Sequence, residues 1–474
     1  MAILRTGAAL LVAGLALTSC GTPPSASSPT PSHRDVTSSP DTSVIAPTPS
    51  GAPPKATPPG RPSGAWTTFG GDNSRNAWSA TGPDPARSRV LWSTRVGANL
   101  YASPVVFGGT VFAATESDTV VAMTLSSGSV IWKASLGSPL PGSNLPCGDI
   151  NPSGITGTPV IDPVRRLLWV VAFVKPGHHV LFGLDLQSGR VKVHTNVDPP
   201  GLDPLVEQQR GALALVGDRV IVPFGGLYGD CGSYHGALES VSATGARLGD
   251  YQVPGRRQGG LWAPGGVAVD STGNLFVTSG NGEPFGLAPG GDTVLSLNSS
   301  LALTDWFTPP GSAQLDRADT DLGSTGPVLL GGGLLFQIGK SGIGYLLSAS
   351  ALGHSGTNFF SRGVCEGAYG AAAATAKMIF VPCSQGLYAL RLGPGPGFAV
   401  AWKQVGWQPG PMVVAASTVW ALDPQAGVLI GLDAASGREM ARLQVGRASR
   451  WSAPAAAGGV IVIGAGQAIR AIGN

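Results

Sequence analysis

The stretch ASPVVFGGTVFAATESDTVVAMTLSSGSVIWKAS, residues 102–135, decides the fold. Its first half is an apolar, β-branched run that doubles back at Gly108 and Gly109, the pattern of two strands and a tight turn. Its second half turns again between Thr124 and Gly128, where a Thr or Asx side chain and a glycine make the bend, and leaves through the bulky Trp132. Two consecutive hairpins are therefore predicted.

The unit recurs. The first hairpin returns as GTPVIDPVRRLLWVVA from Gly157, GALALVGDRVIVPF from Gly211, GGVAVDSTGNLFVTSG from Gly265 and TGPVLLGGGLLFQIG from Thr325. It returns again as AAAATAKMIFVPC from Ala371, PMVVAASTVWALD from Pro411 and SAPAAAGGVIVIGAG from Ser452. These eight hairpins lie at intervals of roughly 40 to 60 residues, a period typical of propeller blades and other repeat arrays. The second hairpin keeps its own signature: Thr124, Asp185, Asn298 and Asp433 are followed, four residues on, by Gly128, Gly189, Ala302 and Gly437, and in two cases Trp132 or Trp306 stands eight residues on.

Two hairpins make a four-stranded antiparallel blade, and eight blades make an all-β propeller, the radial solution to the exposed edges of antiparallel sheets. The last repeat runs out after QAIRAIG with three strands, while a lone strand, residues 90–96 with Trp92, precedes the first. The N-terminal strand is thus expected to close the ring. A tandem array of separate sandwiches would leave neither a spare strand at one end nor a missing one at the other.

Composition agrees. Of 474 residues, 43% are hydrophobic and 12% charged, and 71 Gly with 40 Pro punctuate the chain too often for long helices. The net charge is +3 and no Lys/Arg run could neutralise a row of phosphates, which excludes nucleic-acid binding.

The first residues, MAILRTGAALLVAGLALTSCG, place one positive charge at Arg5, an apolar run from Ala8 to Leu17 and small residues before Cys20. This is the layout of a secretory leader, and the run is shorter than the ~20 residues of a membrane span. Leu17-Thr18-Ser19-Cys20 resembles the bacterial lipobox, which implies cleavage after residues 1–19 and lipid attachment at Cys20. More than one acyl chain would give stable anchoring. Residues 20–64 are Ser, Thr, Pro, Ala and Gly with almost nothing large to bury, a tether; residues 65–474 form the folded body. The expectation is an extracytoplasmic monomer, lipid-anchored to the cell membrane. Of the remaining cysteines, Cys365 and Cys383 flank a strand-turn-strand segment and are expected to pair, leaving Cys147 for Cys231. No CxxC or Cys/His spacing points to zinc.

Residues 66–474 resemble the repeats of pyrroloquinoline quinone (PQQ) type propellers, and WTTFGGDNSRNAW, residues 66–78, is similar to that superfamily's lead-in. Its members include calcium- and quinone-dependent alcohol dehydrogenases and non-enzymatic lipoproteins such as the propeller of the outer-membrane protein assembly machine. The resemblance implies a site residue by residue. GGLW places Trp262 where the family carries the Trp under the quinone; SGN places Asn281 where it carries a calcium-ligating asparagine. DTDLGSTGPVL offers Asp319 or Asp321 for the catalytic aspartate, and Lys340 precedes a pattern resembling the quinone-contacting NGxxY. In such a set calcium takes oxygen ligands and an Asp accepts the alcohol proton.

The departures are specific. For the calcium-ligating glutamate GGLYGDCGSYHG offers only Asp230, the adjacent Cys-Cys pair is absent, and no CxxCH haem motif supplies an electron exit. The expectation is a scaffold that binds a protein partner or ligand on one face, with no cofactor; the alternative is a PQQ- and calcium-dependent dehydrogenase.

Overall fold

Strands here read as near-continuous apolar runs because each sheet is packed on both faces. In the first blade Thr110–Thr115 is buried along almost its whole length, whereas the outermost strand, Val130–Ser135, alternates between exposed and half-buried residues. The computed structural model describes residues 64–356, 359–395 and 397–474; the leader, Cys20 and the tether up to residue 63 lie outside the described residues.

The described residues form eight four-stranded antiparallel blades. Blade 1 runs from the axis outward as Val105–Phe107, Thr110–Thr115, Thr119–Thr124 and Val130–Ser135. Blades 2 to 7 repeat this order, their innermost strands beginning at Val160, Ala214, Ala268, Val328, Ala373 and Met412. Blade 8 supplies Ala455–Ala457, Val460–Ala465 and Ala468–Gly473 from the C-terminus, and its outer strand is the N-terminal Arg89–Arg95, antiparallel from Arg89 opposite Gly473 to Arg95 opposite Ala468. Ring closure by the N-terminal strand is therefore as expected. The core lies between neighbouring blades, as where Val105, Phe112 and Val120 of blade 1 meet Ile161, Leu168 and Val170 of blade 2.

The Gly and Trp of the second hairpin serve adjacent blades. Trp92 lies on Gly128, Trp132 on Gly189 and Trp402 on Gly437, each glycine in the turn of the following blade. Each indole N–H donates to a carbonyl there: Leu125 at 2.9 Å, Leu186 at 3.1 Å and Ala434 at 3.1 Å. A Cβ at Gly189 would stand 2.5 Å from the Trp132 ring, so the contact itself demands glycine. Trp306 has no such glycine ahead of it and stacks instead on His354, ring centroids 3.8 Å apart.

A radial fold leaves the free edge of every innermost strand facing the channel. The lead-in occupies it. Trp66 exchanges backbone hydrogen bonds with Val106 of blade 1, and Ile161 of blade 2 donates to Thr67 at 2.8 Å. The Thr68 hydroxyl donates to Leu213 of blade 3. Val269, Leu329, Ala374 and Val414, on blades 4 to 7, then donate to Asn73, Ser74, Asn76 and Ala77. Among the described residues seven inner edges are thus satisfied in chain order, which answers the demand that buried backbone groups be paired. At the centre Arg75, 1% exposed, donates to Val267 O, Leu213 O, Phe69 O and Thr68 Oγ1.

Candidate functional site

The connections that carry the chain from one blade to the next gather on one face, and the residues just before each innermost strand crowd the mouth of the channel there. Trp262, Asn281, Asp321 and Lys340 meet in this place. The Asp321 side chain, 4% exposed, accepts the Asn281 backbone N–H at 2.6 Å on one oxygen and the Lys340 ammonium at 2.6 Å on the other. Lys340 Nζ stands 5.9 Å from the Trp262 ring centroid, and a Cβ added at Gly280 would touch both Trp262 Nε1 and Asp321 Oδ1. Gly280 therefore lets aromatic floor and carboxylate approach each other.

The two aspartates of DTDLG separate by environment. Asp321 points inward, whereas Asp319 takes φ 51°, keeps its side chain 64% exposed and pairs with Lys340 from the solvent side at 3.0 Å. Burial pushes the Asp321 carboxyl up against the pull of the Lys340 ammonium. Desolvation pulls Lys340 down, but Asp321 and then Asp319 leave it raised overall. Asp230, at φ 52°, accepts the Tyr234 hydroxyl at 2.6 Å, and burial followed by Asp230 holds that phenol well above its usual range. Tyr234 reaches the site, for a Cβ at Gly260 would lie between its ring and that of Trp262.

Residues that the motifs did not flag complete the mouth. The Arg210 guanidinium lies 5.1 Å from the Trp262 centroid and 4.9 Å from that of Trp451, and the two indoles meet edge-to-face at 6.0 Å. Arg450 lies 4.9 Å from Trp451 and 4.9 Å from Tyr369. Burial lowers Arg210 to about 10, offset by Asp149 and Tyr101, so it stays charged at neutral pH. A sequence signal existed: Tyr101, Arg210, Tyr369 and Trp451 each stand four residues before the first residue of an innermost strand, Val105, Ala214, Ala373 and Ala455. Arg210 and Arg450 stacked on aromatic rings, beside a Lys340 whose charge is shared with Asp321 and Asp319, form a surface complementary to a flat anion.

Loops stapled by disulfides border the mouth. Cys147–Cys231 ties the connection between blades 1 and 2 to a loop of blade 3, and Cys365–Cys383 ties the connection after blade 5 to blade 6, both as expected. The donors are too few for calcium, which takes six to eight oxygens. Both Asp321 oxygens are committed, Asp230 serves Tyr234, and among the described residues no three His, Cys, Asp or Glu side chains are grouped to hold a metal ion.

Beside Tyr101 lie two buried carboxyls. Desolvation raises Glu116 to about 7, despite hydrogen bonds from Gly154 N–H and Thr156, and raises Asp118 to about 8, with Glu116 adding to it. Both groups bind protons more tightly folded than unfolded. Their contribution to stability is present at low pH and is lost as pH rises through 7 to 8. These two groups alone are expected to lower the unfolding free energy by about 5 kcal/mol between about pH 5.5 and 8. Denaturant melts at both pH values check this; Glu116→Gln with Asp118→Asn is expected to reduce the difference and to leave the part due to Glu207, Glu239 and Asp292, which burial likewise raises to about 8, about 8 and about 9.

A family model described as outer membrane protein assembly factor BamB matches residues 79–336, more than half of the chain. No curated protein sequence matches. Among solved structures, the quinohemoprotein alcohol dehydrogenase from Comamonas testosteroni superposes with TM-score 0.70 at 14% identity, covering 86% of this chain and 81% of that one. A europium-containing methanol dehydrogenase gives TM-score 0.69 at 13% identity, covering 87% and 98%. BamB from Moraxella catarrhalis gives 0.56 at 14% identity, covering 82% and 98%. At these identities the likeness is one of fold.

Proposed function

We propose that this chain, which belongs to the family of the outer membrane protein assembly factor BamB, is an extracytoplasmic scaffold, lipid-anchored at Cys20, that binds a flat anionic ligand or partner group at the channel mouth without turning it over. The observation that carries this reading is Arg210 set between Trp262 and Trp451, with Arg450 and Lys340 on the same aromatic surface. The anchor rests on the sequence.

A quinone-dependent dehydrogenase is the second reading, favoured because Trp262, Asn281, Asp321 and Lys340 share one wall. Against it, the calcium that such enzymes carry does not fit the donors present. A planar polycarboxylate such as PQQ suits the cations and indoles on its own charge and shape, so it serves as a probe for both readings.

Isothermal titration of the full chain with PQQ is the test. Binding is expected with and without calcium, weakened about tenfold or more by Arg210→Ala or Trp262→Ala, the loss of a desolvated cation–π contact of roughly 2 kcal/mol. Asn281→Ala is expected to change little, because Asn281 meets Asp321 through its backbone N–H. No binding at millimolar PQQ, or equal binding by all variants, would remove the proposed site.

A further inference from the structure

On the seam where the two ends of the chain meet, three arginines line one cavity of about 340 Å3: Arg95, Arg447 and Arg470, with Gln467, Gly446 and Gly466. Each comes from a different segment. Arg95 ends the N-terminal strand that closes blade 8, Arg470 lies on the C-terminal strand paired with it, and Arg447 sits on the connection from blade 7. The seam is held there by Arg95 pairing opposite Ala468 and by the Val96 N–H donating to Gln467 O at 2.9 Å.

No carboxylate lines the cavity. Among the described residues none of the three arginines has an acidic partner within salt-bridge distance, whereas other surface arginines do, as Arg442 with Glu439 and Arg165 with Asp162. Arg470 is half-buried, donates from Nη1 to Ala465 O at 3.2 Å, and lays the end of its guanidinium beside Gly446. Arg95 and Arg470 lie on paired strands and Arg447 on the neighbouring connection, so a bound multivalent anion would meet positive charge from all three segments. Burial lowers the Arg470 pKa with no acidic group to offset it, as expected of a desolvated cation lacking its counter-charge.

We propose that this cavity is a binding site for a phosphate dianion, inorganic phosphate or a phosphomonoester, which ties the N-terminal and C-terminal strands together and locks the ring. Guanidinium forks match the spacing of phosphate oxygens and bind them through paired hydrogen bonds. A cavity of this size admits one phosphate group with its waters, and three cations favour two negative charges over the single charge of a phosphodiester headgroup. The site is separate from the channel mouth and does not rest on the function proposed there.

Thermal unfolding and isothermal titration of the full chain with sodium phosphate at fixed ionic strength, against chloride, test it. Phosphate at millimolar concentration is expected to raise Tm by about 2 °C. The effect is expected to shrink as pH falls through about 7 for inorganic phosphate, and through about 6 for a phosphomonoester, where each loses its second charge. Arg447→Gln and Arg470→Gln are expected to weaken binding at least tenfold, and Arg470→Lys less. Arg95→Gln, at an exposed position, keeps the test decisive if the half-buried variant fails to fold. Arg442→Gln and Arg210→Gln are expected to leave the phosphate response intact. The proposal is overturned by equal responses to phosphate and chloride or by a phosphate response unchanged in the Arg95/Arg447/Arg470 triple glutamine variant. It is overturned equally by loss of the response in Arg210→Gln, or by binding to phosphatidylglycerol vesicles alone.

Discussion

Arg75→Ala is expected to lower the unfolding free energy by about 4 kcal/mol, because several buried acceptors lose their only charged donor at once and each orphan costs roughly 1–3 kcal/mol. The side chain donates to Val267 O, Leu213 O, Phe69 O and Thr68 Oγ1, joining the lead-in to blades 3 and 4. Desolvation lowers the guanidinium to about 9, partly offset by Asp72, so it is cationic at neutral pH and its hydrogen bonds are of the strong, charge-assisted kind. Arg75→Lys keeps the charge but not the fork, and is expected to recover less than half of the loss. Equilibrium urea unfolding of the full chain, followed by tryptophan fluorescence, measures both. A loss below about 1 kcal/mol for Arg75→Ala would mean that water replaces the guanidinium and that the lead-in is no keystone.

The Cys147→Ser/Cys231→Ser double variant is expected to lose about 4.5 kcal/mol and Cys365→Ser/Cys383→Ser about 3 kcal/mol, on the loop-entropy account of cross-links. The ordering follows from sequence separation, 84 residues against 18. The first bridge also borders the channel mouth, through Asp149 beside Arg210 and Tyr234 beside Trp262, so its removal is expected to weaken PQQ binding as well. The second bridge borders the mouth as well, with Cys365 four residues before Tyr369 and on the loop that packs against Lys340, so its removal is expected to weaken that affinity too. Urea midpoints and titration of the two variants decide the matter. An inverted order of stability would place the stabilisation in the native loops and not in the unfolded chain.

The fold was legible because blades are covalently repeated: eight hairpins with glycine turns, a spare strand at residues 90–96 and a C-terminal repeat one strand short are properties of the order of residues. The Cys365–Cys383 pairing followed from the same alternation of strand and turn, and Cys147–Cys231 from what remained. Less legible was the direction of the Gly and Trp signature. Trp132 reads as part of its own hairpin, but blade packing hands it to Gly189 of the next. The lead-in WTTFGGDNSRNAW is short, polar and glycine-rich, a loop by local propensity. Only the ring of unpaired inner edges gives it a structure.

At the site, the motif positions led to Trp262, Asn281, Asp321 and Lys340, and left Asp319 and Asp321 equivalent. Burial separates them, a property of the folded chain that spacing does not encode. Arg210, Tyr369 and the adjacent pair Arg450–Trp451 belong to no motif, since they come from three different repeats and acquire meaning only when the repeats are superposed around an axis. The position four residues before the innermost strand was the available signal for three of them.

Binding without turnover is tested most directly by supplying the full chain with PQQ, calcium, a primary alcohol and an electron-accepting dye, and following dye reduction while titration reports occupancy. The predicted result is a protein saturated with the quinone that reduces no dye above the rate of free PQQ with calcium. Calcium-dependent dye reduction, abolished by Asp321→Asn and by Asn281→Ala, would contradict it and make the channel mouth the active site of a dehydrogenase.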